Sequence, residues 1–287
     1  MQIGESFEWW VGVVEDRDDP LKLGRVRVRI FSHHDEDKIE MPTNTLPWAQ
    51  PMQPIGSAAV GDVGYSPTGI VEGTWVVGFW LDGTEGQRPV IMGTLAGIPI
   101  KNAETSKGFN DPNGVYPKRT NEPDVNRLAR NDDEYKHPVL QTKEDNRSND
   151  IPRALGYNDY DEPPSAYAAA YPKNHVYESE SGHIREYDDT PTEERIHEFH
   201  KAGTFYEIDK DGNKVTRVVK NNYEIISGED FCYVKGSCHL TIDANASTYK
   251  NLTIDVGGHI DVDSRKNVTI DSGDTSGGDG KIFLNSS

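Results

Sequence analysis

Apolar and polar residues alternate along much of this chain, the signature of strands with one buried face. The clearest alternation lies in the last third, where it repeats. Asn251-Leu252-Thr253-Ile254-Asp255, His259-Ile260-Asp261-Val262-Asp263 and Asn267-Val268-Thr269-Ile270-Asp271 stand eight residues apart. A further copy, His239-Leu240-Thr241-Ile242-Asp243, lies twelve residues upstream of the first. A strand this short cannot bury its face alone. Stacked copies, or copies from several chains, can share one continuous core. The repeat therefore predicts an elongated β rod with Val234, Leu240, Ile242, Leu252, Ile254, Ile260, Val262, Val268 and Ile270 turned inward. Asp243, Lys250, Asp255 and Lys266 fall outside or at the edges. The twelve-residue step predicts a short excursion near 244–248 that keeps even strand parity, and so the same inward face. A Gly-rich stretch over 271–280 leads to a last apolar strand at 282–284.

The first hundred residues predict strands at 9–15, 25–31, 48–54, 74–80 and 89–94, separated by turn-rich pieces such as Asp18-Asp19-Pro20 and Asp82-Gly83. Five strands in that length fit a Greek-key barrel of the OB type. In the second strand Val26, Val28 and Ile30 alternate with Arg25, Arg27 and Arg29, giving one core face and one facing solvent or a partner. Residues 101–172 lose the alternation and gain Asn, Asp, Pro and Lys. They predict an extended linker without a core of its own, carrying a short helix near 125–131. From 173 to 226 strands return at 177–178, 183–188, 195–200, 204–209 and 214–219, with turns at Ser181-Gly182, Ala202-Gly203 and Asp211-Gly212.

Composition agrees with a thin core. Hydrophobic residues make up only 34% of 287, fewer than a single compact globule of that size carries. The net charge of −18 disfavours attachment to nucleic acid through phosphates. Trp9, Trp10, Trp48, Trp75 and Trp80 could stack on bases, but against that charge they fit core and protein-contact roles better. Cys232 and Cys238 are too few for a disulfide framework; their spacing places them on one strand face as small buried residues. No apolar run is long enough to span a membrane, and no secretory signal precedes the barrel.

Candidate chemistry is sparse. His197-Glu198-Phe199-His200 puts its histidines on opposite faces of a strand, where one chain cannot chelate with both. Asp209-Lys210-Asp211-Gly212-Asn213 opens like a calcium loop, but Lys220 stands where the bidentate acid belongs, so a hairpin turn is predicted. The aspartates of the repeat lack the glycine pattern of calcium-binding β rolls. A Gly-x-Ser-x-Gly elbow is missing, and no carboxylate sits in an apolar setting that would raise its pKa. No catalytic, cofactor or metal residue is assigned.

Longer motifs carry a resemblance. Trp10-Val11-Gly12-Val13-Val14-Glu15-Asp16-Arg17, Asp19-Pro20-Leu21-Lys22-Leu23-Gly24-Arg25-Val26-Arg27-Val28-Arg29, Leu46-Pro47-Trp48, Ser66-Pro67-Thr68-Gly69 and Gly108-Phe109-Asn110-Asp111-Pro112-Asn113-Gly114 closely resemble the opening of central spike proteins of contractile phage baseplates, T-even type. Glu180-Ser181-Gly182-His183-Ile184-Arg185-Glu186-Tyr187-Asp188-Asp189-Thr190-Pro191, with Arg195, His200, Gly203-Thr204 and Glu207, is similar to the neck of the spike β-helix that VgrG proteins of type VI secretion share.

The resemblance implies an all-β homotrimer: an OB barrel over 1–100, a linker over 101–172 and an intertwined trimeric β-helix over 173–287, divided into neck 173–230, shaft 231–272 and tip 273–287. It implies a ring-shaped hub protein above the barrels, with Trp9, Trp10, Arg25, Arg27 and Arg29 as hub or trimer contacts. It further implies residence in the virion tail baseplate after assembly in the host cytoplasm, and a structural role in piercing the host envelope as the sheath contracts. The muralytic domain of the best-known spike has no counterpart in the 101–172 segment, so no enzyme is expected. The hub module fused to VgrG proteins is also missing, which implies a separate hub. No His-x-His iron site follows His259, and a PAAR-type tip protein is expected instead. The rival readings are a spike of another contractile injection system, of the VgrG or tailocin kind, and a spike with muralytic activity.

Overall fold

The structure is a computed structural model describing residues 7–131, 137–147, 161–242 and 251–270. The barrel and the strands up to residue 217 belong to one compact unit, and the chain from 231 onward belongs to another.

In the first unit, β1 (Trp9–Asp16), β2 (Val26–Ile30), β3 (Trp48–Pro51), β4 (Trp75–Trp80) and β5 (Pro89–Leu95) close a barrel in the order β1-β2-β3-β5-β4. The parallel pairing of β3 with β5, Gln50 opposite Val90, completes the closure. Closure removes the exposed edges that an open sheet of these strands would present. Bulges between Val14 and Asp16 and between Val77 and Gly78 bend the two longest-paired strands around the barrel. The interior holds Trp10, Val14, Val26, Val28, Ile30, Ala49, Val76, Trp80 and Ile91, one face of each strand as the alternation requires. All five predicted strands are present, with ends shifted by one to three residues. Proline accounts for the largest shift: the third strand stops at Pro51, because Pro51 and Pro54 offer no N–H to a ladder.

The chain then crosses the outside of the barrel. Phe109 stacks on Phe31 at 4.3 Å, and the Phe109 N–H donates to Glu15 at 2.8 Å. Two short helices follow. In α1 (Arg127–Arg130), the Asn126 side chain accepts from Leu128 N. In α2 (Pro138–Asp145), His137 Nδ1 accepts from Val139 N, and Pro138 supplies a fixed φ at the first turn. An antiparallel meander completes the unit: β6 (Asn174–Glu178), β7 (Ile184–Asp188), β8 (Arg195–Phe199), β9 (Phe205–Ile208) and β10 (Lys214–Arg217), each paired with the next. The hairpin glycines Gly182, Gly203 and Gly212 all take positive φ, as the predicted turns require.

The extended-linker expectation for 101–172 needs correction in its described part. Leu128 and Val139 are buried against Ile184, Phe199 and Phe205 of the meander, with Leu140 and Tyr167 beside them. The segment has no core of its own because it shares the sheet's. In the second unit, the described residues 231–242 and 251–270 form neither strand nor helix within the single chain. Asp243, the 244–248 excursion, Lys250, Asp271 and everything beyond lie outside the described residues.

Candidate functional site

Three surfaces compete for function: the repeat, the meander and the barrel exterior. In the repeat, all nine residues predicted to face a core are exposed in the isolated chain, from 38% for Ile242 to 73% for Leu240. Barrel residues of the same types are at 0–2%, for example Val28, Ile30 and Ile91. Nine aliphatic side chains left exposed along one repeat are more than the scattered single apolar residues that a surface normally shows. Asp255, Asp261, Asp263 and Lys266 are exposed as well, so one chain does not separate the two faces. Cys232 and Cys238 are free and exposed, not buried as predicted, since no second layer covers them in the single chain.

The meander has two unlike faces. Its open face carries Tyr177, Tyr187, Ile196 and Tyr206, with Arg185 paired to Glu198 at 2.7 Å. Its covered face mixes apolar residues with charge. Arg195, wholly buried, donates to Glu186 at 2.6 Å and to Glu207 at 2.8 Å. His197 Nδ1 meets the second Glu186 oxygen at 2.5 Å, and Lys143 of α2 reaches Glu207 at 2.8 Å. Burial alone would push the Glu186 carboxyl up. The His197 hydrogen bond and the Arg195 charge outweigh it and hold Glu186 at about 2. Glu207 is likewise held down, its burial outweighed by Lys143 and Arg195. Burial pushes His197 and Lys143 down despite their carboxylate partners. His197 is therefore neutral near pH 7, with its Nδ1–H donating to Glu186. Its Nε2 has no partner among the described residues, and the rings of Phe199 and Phe205 lie about it at 6.0 and 5.9 Å. This arrangement makes His197 a structural histidine. His200 ends exposed beside His183, ring centroids 4.5 Å apart, each accepting a backbone N–H at Nδ1. No cluster of three potential metal ligands exists among the described residues. The Asp209–Asn213 stretch is a hairpin turn closed by Asp209 N donating to Asn213 O.

On the barrel, the predicted contact residues divide. Trp9 is half exposed and packs edge-on against Phe7, which stacks on Phe79. Trp10 is a core residue, 6.1 Å from Trp80. Arg29 is not on a solvent face either. It is enclosed, donating to Glu15 at 2.7 and 3.1 Å, to Met41 O and to Asp35 O. Glu15 also accepts from Thr43 Oγ1, so the loop over 31–45 and the strand face close on one carboxylate. Arg25 binds Asp19 at 2.6 Å, and Arg27 lies over the Trp48 ring at 4.3 Å while pairing with Asp16. The burial of Arg29 was hidden from the alternation because its cover comes from residues remote in sequence. Lys143 was likewise missed: nothing around it distinguishes a buried lysine from a solvated one.

Comparison with known proteins follows the same outline. The model of the Gp5 N-terminal OB domain matches residues 31–175. Protein Gp5 of Vibrio phage KVP40 is 44% identical over 277 aligned residues, covering 85% of this chain. The pre-baseplate central spike protein Gp5 of Enterobacteria phage T4 is 46% identical over 122 residues, covering 41% of this chain. The chain spans 65% of the first relative and 21% of the second.

Proposed function

This chain belongs to the family defined by the Gp5 N-terminal OB domain, and we propose that it is the structural central spike of a contractile phage tail baseplate. It resides in the virion, at the baseplate, after assembly in the host cytoplasm. Three copies intertwine residues 231–272 into a closed β prism, and the prism pierces the host envelope when the sheath contracts. A ring-shaped hub protein holds the barrels, and a PAAR-type protein caps the tip. Neither nucleic acid nor a cofactor takes part.

One observation carries this reading: a single chain leaves all nine aliphatic repeat positions in water. At roughly 25 cal/mol per Å2, burying such side chains is the main available drive for association. Placing each strand beside strands of two other chains also satisfies backbone groups that a single chain leaves unpaired. The name of the T4 relative, pre-baseplate central spike protein, supports the spike role, and the KVP40 relative carries the same Gp5 designation. Light scattering after size exclusion tests it. A mass near three times 32.0 kDa is expected; a stable monomer under native conditions rules the intertwined prism out. The absence of enzymatic activity is part of the proposal and is tested separately. A zymogram on peptidoglycan is expected to show no clearing, and clearing would establish the muralytic alternative.

A further inference from the structure

The meander ends in two open edges, β6 and β10. Beside β6, Ser179 N donates to His183 O at 2.9 Å and Asp189 N to Lys173 O at 3.1 Å. These bonds fix which residues of that strand face β7: Lys173, His175, Tyr177 and Ser179. The N–H and C=O of Asn174, Val176 and Glu178 therefore point away from the sheet. Beside β10, Asp209 N donates to Asn213 O at 3.0 Å, so Val215 and Arg217 face β9. The N–H and C=O of Lys214 and Thr216 point outward. None of these outward groups has a hydrogen-bond partner among the described residues. Leu128, Asn126 and His137 reach β6 through the Asn174 and Glu178 side chains, which leaves its backbone free.

The two edges match. In a five-stranded antiparallel order, β6 and β10 run the same way. The registers carry one level across the sheet, through Val176, Glu186, His197, Glu207 and Val215. A second copy set beside the first at the same level brings Thr216 opposite Tyr177 and Lys214 opposite His175. A parallel ladder needs this parity. An outward residue on one strand stands opposite a residue bonded to its own sheet, and its N–H and C=O meet the residues before and after that one. Thr216 then meets Val176 and Glu178 of the next copy, and Lys214 meets Asn174 and Val176. All four opposed side chains, of Thr216, Tyr177, Lys214 and His175, lie exposed on the open face. Lys214 has no carboxylate partner among the described residues, and it comes beside the His175–Asp189 pair of the next copy.

The open face gives the direction of closure. Tyr177, Tyr187 and Ile196 are exposed there, and Tyr206 and Ile208 are half-buried. Five strands about 4.8 Å apart make a side of about 24 Å, and three such sides lie about 7 Å from their common axis. Sheets packed face to face stand about 10 Å apart, or about 5 Å each, so tyrosines fill the difference where shorter side chains leave a void. Four sides stand about 12 Å from the axis and leave a hole. We propose that three copies join their meanders edge to edge, β10 of each beside β6 of the next, in a closed ring of three times five strands with Tyr177, Tyr187, Ile196 and Tyr206 turned inward. The pairing is head-to-tail, so closing the ring covers both edges of every copy. A twofold pairing of like edges leaves one edge of each copy open. The ring depends on the three-chain reading of the spike, whereas the shaft can form with the meanders apart.

Disulfide trapping on the full-length chain tests it, with Cys232→Ser and Cys238→Ser removing the native thiols. Tyr177→Cys/Thr216→Cys, oxidised with diamide and boiled in detergent without reductant, is expected to run as a covalent trimer, because directly opposed residues lie within disulfide reach. Either substitution alone is expected to run as a monomer on that gel. A covalent dimer from one alone means that like edges pair, and overturns the proposal. Tyr177→Cys/Val215→Cys, displaced by one residue, is expected to cross-link far less, and equal cross-linking overturns the register. A trimer by light scattering that yields no covalent trimer overturns the edge pairing and leaves the spike reading standing; a monomer overturns both. Wild-type hydrogen exchange decides the matter even if the cysteine variants do not fold. The Val176, Glu178 and Thr216 amides, unbonded within one chain, are expected to exchange about a hundredfold more slowly than in an unfolded chain. Unprotected exchange at all three overturns the proposal.

Discussion

Buried charge is the chain's most specific device at the scale of single residues. Arg29 and Glu15 are fully enclosed, and each has further partners that complete its hydrogen bonding. Replacing Arg29 with Met leaves Glu15 buried without its cation, and a loss of about 3–5 kcal/mol is expected in urea unfolding. Arg29→Met/Glu15→Met is expected to recover much of that loss, since no lone charge remains. Gly78 is set by close approach: a Cβ there would lie 2.1 Å from Val90 O and 2.4 Å from the Trp10 ring. Gly78→Ala is expected to lower stability by about 1–3 kcal/mol, visible as a reduced melting temperature. His34 provides a pH dependence. Its Nδ1 accepts the Ile30 N–H at 2.9 Å, and burial, then the Arg29 charge, push its pKa from 6.5 down to about 4. The unfolded chain takes up the proton near 6.5, before the folded chain does. Stability from neutral His34 is thus complete above pH 6.5 and is lost as pH falls from there through about 4. Thermal melts across that window should show a steeper acid decline for the wild type than for His34→Asn, and equal slopes would dismiss the role given to His34.

Elements were legible wherever period decided them. Strand period two marked all five barrel strands and β7 to β10 of the meander, because each has one face in a core and one outside, whereas of β6 only 177–178 was legible. The residues before Pro138 gave no comparable signal. His137 caps α2 through a ring nitrogen, a role its residue type does not announce, and the helix buries only Val139 and Lys143. The shaft repeat makes the sharpest element-level prediction. Deleting Gly257 alone turns every later side chain to the opposite face and should abolish the trimer by light scattering. Deleting one whole octad, 256–263, preserves parity and should leave a shorter trimer. Survival of the trimer in the first variant would refute the inward face assigned to Ile260, Val262, Val268 and Ile270.

For the whole molecule, the proposed prism predicts kinetic resistance. Three intertwined chains must separate together, so trimers are expected to survive detergent at room temperature and to dissociate only on heating, as read by gel mobility. Ile254→Asp places a charge in the shared core and should yield monomers whose barrel melts normally. What the sequence determined by itself was local and periodic: the strands, their turns, the parity of the repeat and the sign of the surface charge. These depend on neighbours within a few residues, and the chain states them directly. Only the tertiary structure decided that Arg29 and Trp10 are interior, that residues 137–147 and 161–172 lie against a sheet, and that Glu186, Arg195, His197 and Glu207 meet Lys143. Burial of a polar side chain is set by what covers it, and here the cover comes from residues far away in sequence, such as Phe109 over Glu15 and Lys143 over Glu207.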